Sequence, residues 1–368
     1  MKEQIKQFIR YHAIKSWLAK YERLLMPATL ILGSVLDFVT FRTIEIFSSF
    51  VLLAVYLVIA TFGITFVYMF DADKFPKNRL TNYLRISMPF VIQFLFGALL
   101  SGTMVFYFFS GAVAVNWPII LLFVFLMIAN EVFKSHYERQ TVQLGVYFFI
   151  LYTFLSVLLP FAFNTISAWS FVLSGLLSVF AMSLYLWFLI KLSPRVKTAL
   201  HSLFIVISSV VCLMQWLYFT NRIPPVPLAL RESVIAHNLK RTSAGYILSV
   251  ENERWWNFFI PNRVVRIVGG ERVYLYTSVF APVNLSTTII HRWQYFDETQ
   301  KGWVARDRLS FSITGGKKSG YRGYSFKTNV SPGKWRVDVE TERGQVLGRV
   351  NFSVESVDTP PTTQTVTK

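Results

Sequence analysis

The chain has 368 residues, of which 53% are apolar and 17% aromatic, Phe alone contributing 35, an excess that a water-soluble fold would struggle to hide. Its formal charge of +17 divides into +9 for residues 1–222 and +8 for residues 223–355, so the basic excess is not gathered in one region and does not point to nucleic acid. These figures leave a multi-pass membrane protein with a water-exposed second half.

Residues 1–23 carry Lys2, Lys6, Arg10, Lys15, Lys20 and Arg23 without a short apolar core and small-residue cleavage site, which reads as a basic cytoplasmic segment. Seven apolar runs follow within 24–220, at Leu24–Phe41, Ile46–Phe70, Met88–Phe109, Val113–Phe133, Val142–Phe161, Trp169–Ile190 and Leu203–Thr220. Each is close to the roughly 20 residues that a helix needs to cross a hydrocarbon core of about 30 Å. With the N-terminus in the cytoplasm, fifteen basic residues fall on that side, among them Lys74, Lys77, Arg79 and Arg85, and only Arg42 lies in the short loops opposite. Cytoplasmic loops collect Lys and Arg, so this asymmetry orients the bundle, and seven crossings place everything after Thr220 outside the cytoplasm. The expected location is a bacterial inner membrane, with the C-terminal domain periplasmic.

Polar groups within apolar spans are costly and often functional, which makes Asp37, Gln93 and Gln215 the intramembrane candidates. Asp37 is near Arg42 and Glu45, as in an interfacial ion cluster, while the two glutamines suit hydrogen bonds between helices. No repeated acidic or histidine series of the kind a pump uses is present. Cys212, the one cysteine, lies in the last span, so no intrachain disulfide can form.

The last span stops at Asn221-Arg222, and Ile223-Pro224-Pro225-Val226-Pro227-Leu228 cannot continue a helix, because each proline ring removes a donor and crowds the turn before it. Residues 221–262 form a connecting segment in which Arg231–Leu239 reads as a short helix, Gly245–Val250 as a strand, and Trp255, Trp256, Phe258 and Phe259 as an aromatic cluster. Across 263–355 the apolar period becomes two. VYLYTSVF, TTIIHRWQYF, RLSFSI, KWRVDV and GRVNFSV are separated by turns such as Gly315-Gly316, Ser331-Pro332-Gly333 and Arg343-Gly344. About seven strands in an antiparallel, immunoglobulin-like all-β sandwich fit this pattern. Leu309, Phe311 and Ile313 are expected to face inward, as are Val350, Phe352 and Val354. Residues 356–368 carry no apolar pattern and are expected to be disordered.

His291-Arg292-Trp293, then Arg322, Ser325 and Lys327 in RGYSFKT, then Gly333-Lys334-Trp335-Arg336-Val337, Gly344-Gln345-Val346-Leu347-Gly348 and Phe352-Ser353-Val354 resemble the domain-of-unknown-function family 2914. The resemblance spans 291–354. It implies a small β domain of bacterial envelope proteins, often behind a membrane region, with no established reaction.

Hydrolytic motifs such as HExxH and GxSxG are missing from the β region, and His237 and His291 are its only histidines. No catalytic residue, metal site or cofactor is therefore assigned. Binding is easier to motivate. Alternation puts Ile289, His291, Trp293 and Tyr295 on one face of their strand and Ile290, Arg292, Gln294 and Phe296 on the other. If the His291–Trp293 face is open, it forms with Arg322, Tyr324 and Lys327 a platform for a sugar ring or an anionic group; if it is closed, Trp293 and Trp335 are core residues and Arg322, Tyr324 and Lys327 remain exposed. The reading is a non-catalytic envelope membrane protein that binds a protein partner or an anionic or glycan ligand and can self-associate. The alternative is a transporter or membrane-embedded enzyme with the β domain as accessory.

Overall fold

The computed structural model describes residues 46–132, 140–243, 245–251, 263–282, 285–316 and 320–368. The first expected span at 24–41, Asp37 within it, the basic segment 1–23 and the aromatic cluster at 255–259 lie outside the described residues. Among the described residues six helices precede a β-rich C-terminal region: α1 (Ile46–Asp71), α2 (Arg79–Phe109), α3 (Val113–Val132), α4 (Gln140–Ala162), α5 (Ala168–Leu192) and α6 (Val196–Phe219). All six are long and apolar enough to cross a membrane. Two start earlier than their apolar runs, α2 at Arg79 and α6 at Val196, since a polar turn can extend a helix beyond the hydrocarbon.

The chain divides into two compact units. One contains residues through Val105 with Ile120–Leu158 and Val172–Met214; the other contains Phe106–Ile119, Leu159–Phe171 and Gln215–Lys368. In the first unit α4 is central, with 83% of its apolar window buried against 22–33% for α1, α3, α5 and α6. Phe62, Phe94, Phe125, Phe180 and Phe204 stay exposed on the flanking helices, an outward apolar surface that suits lipid and would be a liability in water. Polar ties join the helices: the Thr61 and Tyr147 hydroxyls lie 2.7 Å apart, those of Thr65 and Tyr185 3.1 Å apart, and Gln93 and Asn130 each donate to the other's backbone carbonyl, at 2.6 and 3.0 Å. Such side-chain amide pairing is how polar residues are normally accommodated between apolar helices.

In the second unit, α6 ends on Asn221 in the left-handed conformation (φ 56°), and the amide of Arg222 reaches back to the Leu217 carbonyl at 2.8 Å. Residues 223–228 are buried without regular structure. Eleven strands follow among the described residues: β1 (Ala229–Ala236), β2 (Asn238–Thr242), β3 (Gly245–Glu251), β4 (Arg263–Ile267), β5 (Val273–Phe280), β6 (Ser286–Asp297), β7 (Gly302–Thr314), β8 (Tyr321–Lys327), β9 (Gly333–Thr341), β10 (Val346–Ser356) and β11 (Thr363–Thr367). Sheets ordered β1-β5-β8 and β4-β10-β9-β6-β7 enclose one core of Leu275, Ile289, Trp293, Ile313, Trp335, Val337, Val339 and Phe352. Buried tryptophans on two adjacent strands of the larger sheet, Trp293 on β6 and Trp335 on β9, fill that core, and a buried core tryptophan is a feature of immunoglobulin-like sandwiches. The third sheet, β11-β3-β2, covers part of the outer face of the smaller one through Leu239, Leu248, Ala236 and Tyr276.

Four expectations are corrected. Arg231–Leu239 is not helical: the β-branched Val234 and Ile235 fall in β1, which pairs with β5, and Leu239 falls in β2, so sheet pairing overrides a weak helical pattern. The tail is not disordered, because Thr363–Thr367 pairs antiparallel with β3. The sandwich is not wholly antiparallel, since β4 runs parallel to β10. Leu309 is 37% exposed; it lies on edge strand β7, which has a neighbour on one side only, while Phe311 packs on the core and Ile313 is buried.

Gly323 on β8 sits at a close approach of the two sheets, because a Cβ there would stand 2.2 Å from the Phe311 ring. Gly323→Ala is expected to destabilise the β domain by about 1–3 kcal/mol, the usual cost of overpacking, measured as a lowered unfolding midpoint of the detergent-solubilised chain. Gly269→Ala, at a position with open space around it, is the control.

Candidate functional site

The strand periods sort the candidates onto opposite sides of the sandwich. On β6, His291 and Trp293 are fully buried. His291 Nδ1 lies 2.8 Å from the Ser325 hydroxyl, its Nε2 lies 3.0 Å from the Thr277 hydroxyl, and the Trp293 indole N–H donates to Ser325 Oγ at 3.0 Å. One arrangement of protons satisfies all of these groups. Ser325 accepts from Trp293 and donates to Nδ1, and the Nε2–H of a neutral His291 donates to Thr277. Burial forces that neutrality by pushing the imidazole pKa down to about 3. A serine beside a histidine suggests nucleophile chemistry, but this pair is sealed from solvent and its third partner is a threonine rather than a carboxylate, so it holds the core together. His291 and Trp293 therefore do not join a surface platform.

Lys327 is removed from that platform by parity. It falls on the core-facing side of β8, forms an ion pair with Asp307 of β7 and lies 5.8 Å from the Trp335 ring. Arg322 and Tyr324 point the other way, and Tyr324 is 41% exposed. Here the register matters: Tyr276 is opposite Tyr324 and Tyr274 opposite Phe326 across β5 and β8. Tyr246 of β3 extends the row, with ring centroids 5.5 Å from Tyr276 and 6.0 Å from Tyr324, and Tyr274 lies 5.6 Å from Phe326, itself 42% exposed. Arg272 stacks over Phe326 at 5.2 Å. Burial raises the Tyr276 phenol above its ordinary pKa while Arg322 pulls it back. The result is an aromatic face, open at Tyr324 and Phe326 and carrying two guanidiniums, along the edge strand of the smaller sheet. Tyr246, Tyr274, Phe326 and Arg272 were not singled out from sequence; alternation in VYLYTSVF and YRGYSFK carried the signal, but only the strand register aligns the two rows.

A second charged surface covers the larger sheet. Asp338, fully buried, accepts from Arg349 at 2.6 and 2.9 Å and from Arg292 and Gln294 at 3.3 Å each, while Glu340 pairs with Arg308 at 3.2 Å and Arg292 at 3.3 Å. Burial raises the Glu340 pKa, opposed by Arg292 and Arg308. Arg336 donates to Gln294 at 2.7 Å and stacks over Trp303 at 4.4 Å. Each of these arginines already has a protein partner.

In the helical unit Gln93 lines a cavity of about 660 Å³ with Tyr68, Asp71, Arg85, Gln140, Gln143 and Arg195; Gln215 does not line it. Among the described residues no group of three or more His, Cys, Asp and Glu is placed to hold a metal ion.

Residues 286–354 match the DUF2914 family, described as a protein of unknown function. No curated protein matches the chain. Among solved structures it is similar to an immunoglobulin-like protein from Pseudomonas aeruginosa, at 10% identity and a TM-score of 0.22 over 35% of this chain and 98% of that one. It is also similar to an alkylpurine DNA glycosylase from Pseudomonas fluorescens bound to DNA containing an abasic site analogue, at 11% identity and a TM-score of 0.23 over 76% and 83% of the two chains.

The neutral buried histidine makes acid stability a test of the core. The unfolded chain protonates His291 near its ordinary value of 6.5 and the folded one only near 3, so between those values the unfolded state binds the extra proton. His291's contribution is complete above pH 6.5 and is lost at about 1.4 kcal/mol per unit as pH falls through that window. His291→Gln is expected to flatten the acid limb of a stability-versus-pH curve; an unchanged limb would mean that the imidazole is not buried neutral.

Proposed function

We propose that this chain is a multi-pass membrane protein of the bacterial cell envelope, crossing the inner membrane seven times, whose periplasmic β domain binds an envelope protein or an anionic glycan without catalysis. The observation that carries the reading is the aromatic row of β5 and β8, open at Tyr324 and Phe326 and flanked by Arg272 and Arg322. Tyrosine, phenylalanine and arginine are the residue types enriched at recognition surfaces, because they bring large contact area and directional donors for few rotatable bonds. Two guanidiniums on that surface favour a ligand with carboxylate or phosphate groups. The six apolar helices and the basic loops between them support the membrane placement.

A photo-crosslinking amino acid at position 324, in cells, is expected to capture an envelope protein or glycan. Phe326→Ala and Arg272→Gln should each cut that yield several-fold, consistent with hot-spot losses of about 1–2 kcal/mol, and leave the unfolding midpoint unchanged. Capture of neither class would remove the binding reading. Orientation is tested separately: alkaline phosphatase fused after Lys368 is expected to be active, and a fluorescent reporter that matures only in the cytosol is expected to be dark there. The opposite pair of results would overturn the topology.

The alternative, a transporter or membrane-embedded enzyme with the β domain as accessory, is favoured by one observation: the polar cavity at Gln93 in the helical unit.

A further inference from the structure

That cavity has a chemistry of its own. It opens where the C-terminal end of α1, the first turns of α2 and α4, and the α5–α6 turn converge, and its volume of about 660 Å³ lies in the range of small-molecule sites. Its lining combines polar groups, Tyr68, Asp71, Arg85, Gln140, Gln143 and Arg195, with apolar ones, Val67, Ile86, Pro89 and Phe90. Ile86 and Phe90, one helical turn apart on α2, are each about two-thirds exposed (66% and 65%), so these two apolar lining residues also face outward, where lipid would be.

Arg85 is held by Asp71 in a bidentate pair, Nε to Oδ1 at 2.7 Å and Nη2 to Oδ2 at 2.9 Å, which fixes the plane of its guanidinium before anything binds. With Arg195 the lining carries two guanidiniums against one carboxylate. Tyr68 supplies an independent sign of a ligand. It is only 5% exposed, and its hydroxyl has no hydrogen-bond partner among the described residues. A buried hydroxyl without a partner is destabilising, so its presence beside a cavity rich in donors calls for an acceptor there.

We infer that this cavity binds the phosphate group of an anionic amphiphile, with Tyr68 and Arg195 as donors to the phosphate, Arg85 presenting its oriented charge, and Ile86 and Phe90 flanking the acyl portion. Phosphate suits the site because it offers several acceptor oxygens to donors arriving from four different elements. The outward apolar lip suits a tail. Basic pockets between helices on the cytoplasmic side are a known way of holding lipid headgroups, and the proposed orientation puts this one there. The inference rests on the membrane reading but not on the ligand of the β domain.

The test uses the full chain purified in mild detergent, with bound lipid counted by native mass spectrometry and exchange followed with labelled phosphatidylglycerol. The wild type is expected to retain about one anionic phospholipid per chain. Tyr68→Phe and Arg195→Gln should each lower retention about fivefold or more, the loss of one charged or buried hydrogen bond, while Arg79→Gln, outside the lining, should not. Failure of glycerol 3-phosphate to displace the lipid assigns the site to the amphiphile; ready displacement keeps the phosphate site and assigns it to a soluble ester. Absence of lipid from the wild type, or equal retention in Tyr68→Phe and Arg195→Gln, overturns the inference. Release of the chain from membranes by alkaline carbonate would instead sink the membrane reading, and is measured independently.

Discussion

The β domain depends on how the chain leaves α6. A segment with three prolines in four residues has few donors of its own, yet residues 223–228 are buried: the Val226 and Leu228 amides serve the Pro224 and Pro225 carbonyls at 2.9 Å each, and the carbonyls of Ile223 and of the adjacent turns take partners from elsewhere. The partners come from both sides. Gln345, in the β9–β10 turn, donates to the Ile223 carbonyl at 3.1 Å, Arg222 donates to the Val115 carbonyl at 3.3 Å, and the Ala112 amide donates to Val346 at 3.2 Å. Arg343 lies over the Tyr218 ring at 4.1 Å, and Gly111 is glycine where a Cβ would stand 2.6 Å from Pro224. These contacts all fall within one compact unit and tie the Pro-rich segment and the end of α6 to the β9–β10 turn.

Much of this was legible in the sequence, and the gaps have physical causes. Apolar runs mark helices because one face or more must meet hydrocarbon or core, and all six described helices contain a run read from the sequence. Alternation located β5, β6, β7, β9 and β10, since a sandwich strand must bury every second residue. Alternation alone left open which face of β6 is buried, because Ile289-His291-Trp293 and Ile290-Arg292-Gln294 each mix apolar with polar residues. The structure closes the first face over His291 and Trp293 by supplying Ser325 and Thr277, groups distant in sequence whose hydroxyls make burial of an imidazole and an indole N–H tolerable. β11 was invisible for a related reason: Thr363–Thr367 has no apolar pattern, and its order comes from the ladder with β3 rather than from burial of its own side chains.

The two outer faces of the sandwich differ in what they leave available. On the larger sheet the arginines are bound to Asp338, Glu340 and Gln294 or stacked on Trp303, and a ligand anion would have to displace carboxylates already desolvated and paired. Breaking such a pair leaves a buried charge uncompensated, at about 3–5 kcal/mol, which a surface contact cannot easily offset. The charge there therefore serves the fold.

On the smaller sheet the order is reversed. Tyr276 is buried beneath the third sheet, but the row continues past that cover to Tyr324 and Phe326 on an edge strand, with apolar rings in water and guanidiniums stacked or close beside them. Isolated exposed aromatics are ordinary; two adjacent on one edge, continuous with a buried row and backed by a rigid sheet, form a surface already in its binding shape. Little ordering entropy remains to be lost when a partner arrives, which is the condition under which a small contact area yields useful affinity. The helical cavity obeys the same logic, since the bidentate grip of Asp71 on Arg85 spends that residue's rotamer freedom before any ligand is present. In both places the side chains that can bind are ones the fold has already oriented.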